Sequence, residues 1–152
     1  VTPNLKAFLD MIAHSEIGEK LLASSDNGYN VIVGGAKFFG YADHPRKVVE
    51  VRPGLKSSAA GRYQILARYF DAYRDLLKLP DFGPESQDKI AVQMIRECRA
   101  LDDIESGRFD EAVFKCRSRW ASLPGANYQQ HENDIKDLRL AFVQAGGTLA
   151  QV

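Results

Sequence analysis

Leu5, Phe8, Leu9, Ile12 and Ala13 recur at three- and four-residue steps behind Asn4, the spacing of one helical face with Asn4 placed as its N-cap. Glu16, in the string AHSEIGE, then falls at or just past the C-terminal end of that helix. From Gly28 to Val51 the pattern changes. β-Branched and aromatic residues in YNVIV, KFFGY and KVVEV are separated by Gly34-Gly35 and by an Asp43-His44-Pro45 turn, which predicts a small antiparallel sheet of about three strands. Beyond Pro53 and Gly54 helical spacing returns, with Tyr63, Leu66, Ala67, Phe70, Tyr73 and Leu77 on one face of a long helix from about Ala60 to Leu77. Pro84 stands at a favoured first helical position and opens a segment through Ile90, Ala91, Met94 and Ile95 towards Cys98. Shorter helices are expected around 101–106 and 110–117. A last one runs from about Glu132 through Ile135, Leu138 and Phe142 to Ala145, where Gly146 and Gly147 stop it. No repeat, low-complexity run or linker interrupts the series, so the order predicts a single α+β domain over 1–152, mainly helical with a small antiparallel sheet.

The chain has 152 residues with 45% hydrophobic content, enough for one domain with a real core. Lys+Arg and Asp+Glu both total 20, so the formal charge is zero and the strong positive field that nucleic-acid binding needs is missing. The N-terminal VTPNLKAF lacks the charged and apolar regions of a signal peptide, and no apolar run approaches the roughly 20 residues that span a bilayer. A soluble protein without stable membrane insertion is expected. Cys98 and Cys116 are too few and too far apart for a disulfide framework or a zinc site, and fit a reducing compartment. His14, His44 and His131 show neither zinc-ligand spacing nor a triad pattern, so no metal is expected.

The residue with the sharpest chemical meaning is Glu16, a carboxylic acid at a helix end followed by a strand-rich stretch and then AAGRYQILARYF. On position alone a solvated helix-end carboxylate is the competing reading. The strings KAFLDMIAHSE, GYNVIVGGAKF, YADHPRKVV, LKSSAAGRYQIL, DAYR, SQDKIA and WASLPGANY change that balance, because together they run through nearly the whole chain. They resemble the bacteriophage lambda endolysin family, lysozyme-like lytic transglycosylases. The resemblance implies a two-lobed lysozyme-like fold whose cleft binds glycan strands of peptidoglycan, with Glu16 as catalytic acid and no cofactor. It further implies a monomer made in the host bacterial cytoplasm that acts on the wall in the periplasm. In this chain Ile17 stands before Gly18, where the family commonly has Gly directly after the Glu, and the loop up to Tyr29 differs in length.

Two chemistries fit such a site. Hydrolysis needs a second carboxylate, about 5 Å away as nucleophile or about 6.5–9.5 Å away to position water. Asp26 and Asp43 are the candidates, whereas Asn30 stands where the lambda-type enzymes carry an acid. Transglycosylation needs only one glutamate, because the C6 hydroxyl of N-acetylmuramic acid is the nucleophile and leaves a 1,6-anhydro sugar. A non-catalytic wall-binding or virion structural protein is the third reading. For glycan binding, Ser15, Asp43, His44, Ser58, Tyr63, Gln64 and Tyr128 are the expected contacts. Each has a plainer alternative: Ser57 or Ser58 capping a helix, Tyr63 packing in the core, Tyr128 packing a loop, Asp43 and His44 serving their own turn. Arg62 is expected in an exposed ion pair and Trp120 in the core.

Overall fold

In a computed structural model that describes residues 1–126 and 132–151, the chain opens with α1 (Pro3–Glu16), built on the predicted stripe. Its cap differs from the one expected. Thr2 Oγ1 accepts the Leu5 N–H, while Asn4 donates from Nδ2 to the Ile104 and Thr148 carbonyls and accepts the Thr148 N–H. Asn4 therefore ties the helix start to the end of the chain. A short α2 (Glu19–Ser24) follows, then β1 (Val49–Arg52) and β2 (Leu55–Ser57), α3 (Ala67–Leu77), α4 (Pro84–Glu97), α5 (Leu101–Glu105), α6 (Phe109–Cys116) and α7 (Ile135–Gln144).

Two elements depart from the sequence pattern for identifiable reasons. The sheet has two strands among the described residues, not three: β1 and β2 pair antiparallel across the Pro53-Gly54 turn. The YNVIV and KFFGY segments make only isolated bridges, Val31 with Lys37 and Ile32 with Ala60, around the Gly34-Gly35 turn. The long helix begins at Ala67 instead of Ala60. Gly61 and Gln64 sit at φ +84° and +52°, and Ala60 pairs with Ile65 through both backbone bonds, so helical dihedrals are impossible there.

The chain divides into two compact units, Val1–Glu16 with Val92–Val152, and Ile17–Ala91. In the first, α1 packs against α5 and α7. Phe8, Met11 and Ile12 are fully buried, and Phe109 lies edge-on to Phe8 at 5.9 Å and tilted to Phe142 at 5.0 Å. Burying each such side chain is worth about 1.5–3 kcal/mol. Trp120 belongs to this core, as expected.

The second unit is centred on Phe38, Phe70 and Phe82. Gln87, fully buried, staples it: Oε1 accepts the Arg62 N–H at 2.9 Å, and Nε2 donates to the Phe82 and Tyr29 carbonyls at 2.8 and 3.1 Å. A Cβ at Gly61 would stand 2.3 Å from Gln87 Oε1, so this turn needs glycine for space as well as for φ. Among the described residues no helix is long and apolar enough to cross a membrane.

Candidate active site

Glu16 is the last residue of α1, where the apolar stripe that buries Ile12 and Ala13 ends. Its partner comes from 106 positions later. Trp120 and Leu123, 1% and 0% exposed, pin the segment that carries Ser122. From there Ser122 donates its hydroxyl and, at 3.3 Å, its backbone N–H to the same carboxyl oxygen, Glu16 Oε2. Ser15 Oγ lies 2.7 Å from Ser122 Oγ. Asn133 closes the group: its Nδ2 donates to the Ser15 carbonyl at 3.0 Å and to Ser15 Oγ at 2.9 Å, while its backbone N–H donates to the Ser122 carbonyl at 2.8 Å.

Burial pushes the Glu16 carboxyl up to about 7, and the two hydrogen bonds from Ser122 partly oppose the rise because they favour the charged form. Near neutral pH the group can therefore both give and take a proton. Among the described residues Oε1 has no hydrogen-bond partner.

The other expected contacts are distributed differently. Ser15 is buried behind Glu16 in this group, a support and not a surface for sugar. His44 is 2% exposed with both ring nitrogens used, Nε2 at the Ile65 carbonyl and Nδ1 accepting the Arg46 N–H. It stacks on Phe70 and lies tilted against Phe82, and burial holds its pKa below the usual imidazole range. Tyr63 is 1% exposed, and its hydroxyl donates to Asp88 while accepting from Arg62. Neither side chain offers a face to a glycan.

Asp43 is exposed but gripped by Arg46 through two bonds of 2.9 and 3.1 Å, which hold its carboxyl below the usual range. Ser58 does not stand at the N-cap of α3, which is Leu66, but its Oγ accepts the Ala67 N–H at 3.0 Å from nine positions away and so satisfies the helix start across the turn. Gln64 is half-buried at its left-handed position, with Nε2 donating to the Gly61 and Val31 carbonyls. Its Oε1 is the atom left for a ligand. Tyr128 lies outside the described residues. Arg62, expected in an exposed ion pair, is 6% exposed, bonds the Asn27 carbonyl and lies over the Tyr29 ring. Sequence reasoning gave no role to Ser122 or Asn133. Ser122 stood inside the WASLPGANY string, but nothing local points from there to Glu16.

The endolysin family model matches residues 6–149. The endolysin of Escherichia phage lambda is 50% identical over 148 residues, covering 97% of this chain and 94% of its own length. The chain belongs to the endolysin family. A second endolysin, from Escherichia phage P2, is 46% identical over 158 residues and covers 97% of this chain and 95% of its own. Among solved structures, bacteriophage lambda lysozyme complexed with a chitohexasaccharide superposes with a TM-score of 0.95 at 49% identity, covering 98% of this endolysin and 97% of that chain. A second structure of lambda lysozyme gives 0.90 at 48% identity, with the same coverage. The lysozyme-like fold expected from the sequence is thus the fold observed.

Proposed function

We propose that this endolysin cleaves the β-1,4 bond between N-acetylmuramic acid and N-acetylglucosamine in peptidoglycan by lytic transglycosylation, with Glu16 as acid and then base. One observation carries the reading: the half-buried Glu16 carboxyl, raised to about 7, is held by Ser122 through Oε2, while Oε1 has no hydrogen-bond partner among the described residues. A protonated Oε1 donates to the leaving glycosidic oxygen as the C1–O4 bond breaks. The C6 hydroxyl of the same muramic acid then attacks C1, and its proton passes to the Glu16 carboxylate. The C1–O6 bond formed closes the 1,6-anhydro ring, no water is consumed, and Glu16 returns to its starting state. Tethering makes this attack efficient, since well-oriented intramolecular reactions reach effective molarities on the order of 10⁵ M or more.

The two carboxylates considered for a hydrolytic route have other partners. Asp43 is neutralised by Arg46 and Arg74, and Asp26 accepts the Tyr41 hydroxyl at 2.5 Å. Asn30 offers its Oδ1 to the Asp26 N–H and has no acid to contribute. These commitments favour the one-glutamate route. That the lambda enzyme was solved with a chitohexasaccharide supports a β-1,4 glycan as substrate. The family match, over residues 6–149, spans residues of both compact units, which supports one catalytic domain; as part of the same proposal it is a monomer that works on the periplasmic wall after synthesis in the host cytoplasm. Gln64 is the remaining contact we assign to the glycan, through Oε1 to an acetamido N–H.

The test is mass spectrometry of fragments from purified peptidoglycan digested by wild type and by Glu16→Gln. Ends of 1,6-anhydro-N-acetylmuramic acid, absent with the variant, are expected. From the wild-type protein, reducing ends carrying one added water would overturn transglycosylation, and intact glycan with retained wall binding would overturn catalysis altogether.

A further inference from the structure

The hydrogen bonds behind Glu16 have a direction that can be read from donor chemistry alone. Only an NH₂ group can face the Ser15 backbone carbonyl, so the 3.0 Å contact fixes the orientation of the Asn133 amide. The same nitrogen reaches Ser15 Oγ at 2.9 Å and must donate there too. Ser15 Oγ, already accepting, turns its hydrogen to Ser122 Oγ at 2.7 Å, and Ser122 turns its own to Glu16 Oε2. All donors point one way, from Asn133 to the acid. Such aligned chains polarise each successive bond.

We propose that Asn133 and Ser15 are positioning residues that act through Ser122 to keep Glu16 Oε2 an acceptor in both protonation states, so that Oε1 alone exchanges the proton with substrate. This rests on Glu16 being the acid. Oε2 receives an O–H and an N–H and has no need of a proton of its own. Placing the labile hydrogen on one defined oxygen spares the enzyme a rotamer search before each proton transfer. It also explains why a loop more than a hundred residues away is bonded to the helix end twice, through the Asn133 amide and through Ser122.

A double-mutant cycle tests the chain. Ser122→Ala should lower kcat about 10- to 100-fold, the range for removing a hydrogen bond to a charged group, and should move the alkaline limb of the kcat/KM profile to higher pH. Ser122→Thr, which keeps a hydroxyl, should restore most of both. Asn133→Ala and Ser15→Ala should move the limb in the same direction, with kcat down roughly 3- to 10-fold. In a Ser122→Ala background the Asn133→Ala substitution should add little, because the link through which it acts is gone.

Melting temperatures measured alongside separate loss of fold from loss of function. Full additivity of the two losses, or an alkaline limb that stays in place in every variant, would overturn the inference while leaving Glu16 as the acid. Normal cleavage by Glu16→Gln, run in parallel, would remove the acid assignment and the inference with it.

Discussion

Each compact unit contains a buried polar network, and the two end differently. In Ile17–Ala91 the Tyr29 and Tyr63 hydroxyls both donate to Asp88 Oδ1, Arg62 donates to Tyr63, and Gln87 joins the Arg62 N–H to two carbonyls. That network ties its side chains to one another and to the backbone of the same unit. Burial and Asp88 push the Tyr29 phenol up to about 12, so it stays a neutral donor at any working pH. In the other unit the run from Asn133 through Ser15 and Ser122 ends on a carboxyl with one oxygen unpartnered among the described residues. The first network holds side chains to backbone and so supports the fold, whereas the second meets the carboxyl that we propose as the acid. No buried side-chain nitrogen or oxygen among the described residues lacks a partner, so the open end is not a packing fault.

The largest effect expected from breaking this contrast is at the open end. Glu16→Gln should cut glycan cleavage on the order of 10²–10⁴-fold. It should also raise stability in a pH-dependent way. The folded carboxyl holds its proton up to about 7, against 4.5 for an ordinary one, so the unfolded chain ionises first as pH rises. Wild type should therefore fall behind the variant in urea titrations across that window, and the gap should flatten above it.

In the network of the other unit the signs reverse. Gln87→Ala removes three bonds from a fully buried site and should cost about 3 kcal/mol in urea unfolding, with cleavage per folded molecule retained. A drop in kcat comparable to that of Glu16→Gln would break the comparison.

A smaller effect sharpens it. Cys98, half-buried, and Cys116, buried, are free thiols. The interaction between them draws the Cys98 thiol down and, with burial, drives that of Cys116 up. Iodoacetamide near neutral pH should label Cys98 well before Cys116, read by peptide mass spectrometry, with glycan cleavage little changed.

Much of the fold was legible because it is written in local periodicity. The stripe from Leu5 to Ala13 is α1, Pro84 opens α4, and Gly146-Gly147 ends α7, where Gly147 N–H bonds the Phe142 carbonyl. The Ala60–Leu66 stretch misled because its apolar spacing continues into α3 while Gly61 and Gln64 take left-handed dihedrals that the spacing does not reveal. The three-strand reading failed similarly: residues suited to strands spend their hydrogen bonds on turns. Glu16 was singled out as the candidate acid through the family resemblance. Ser122 and Asn133 were not, since their link to it is entirely tertiary. His44 and Tyr63 looked like ligand contacts because their polar atoms are visible in sequence, and the buried partners that satisfy those atoms are not.

The central claim is that Glu16 holds its proton at neutral pH within this enclosure. The direct measurement is a carbon-detected NMR titration of the Glu16 side-chain carboxyl in the wild-type protein, assigned by comparison with Glu16→Gln. A midpoint at about 7, matching the alkaline limb of kcat/KM, is the predicted result. A midpoint at the ordinary 4.5, with the activity limb elsewhere, would contradict it.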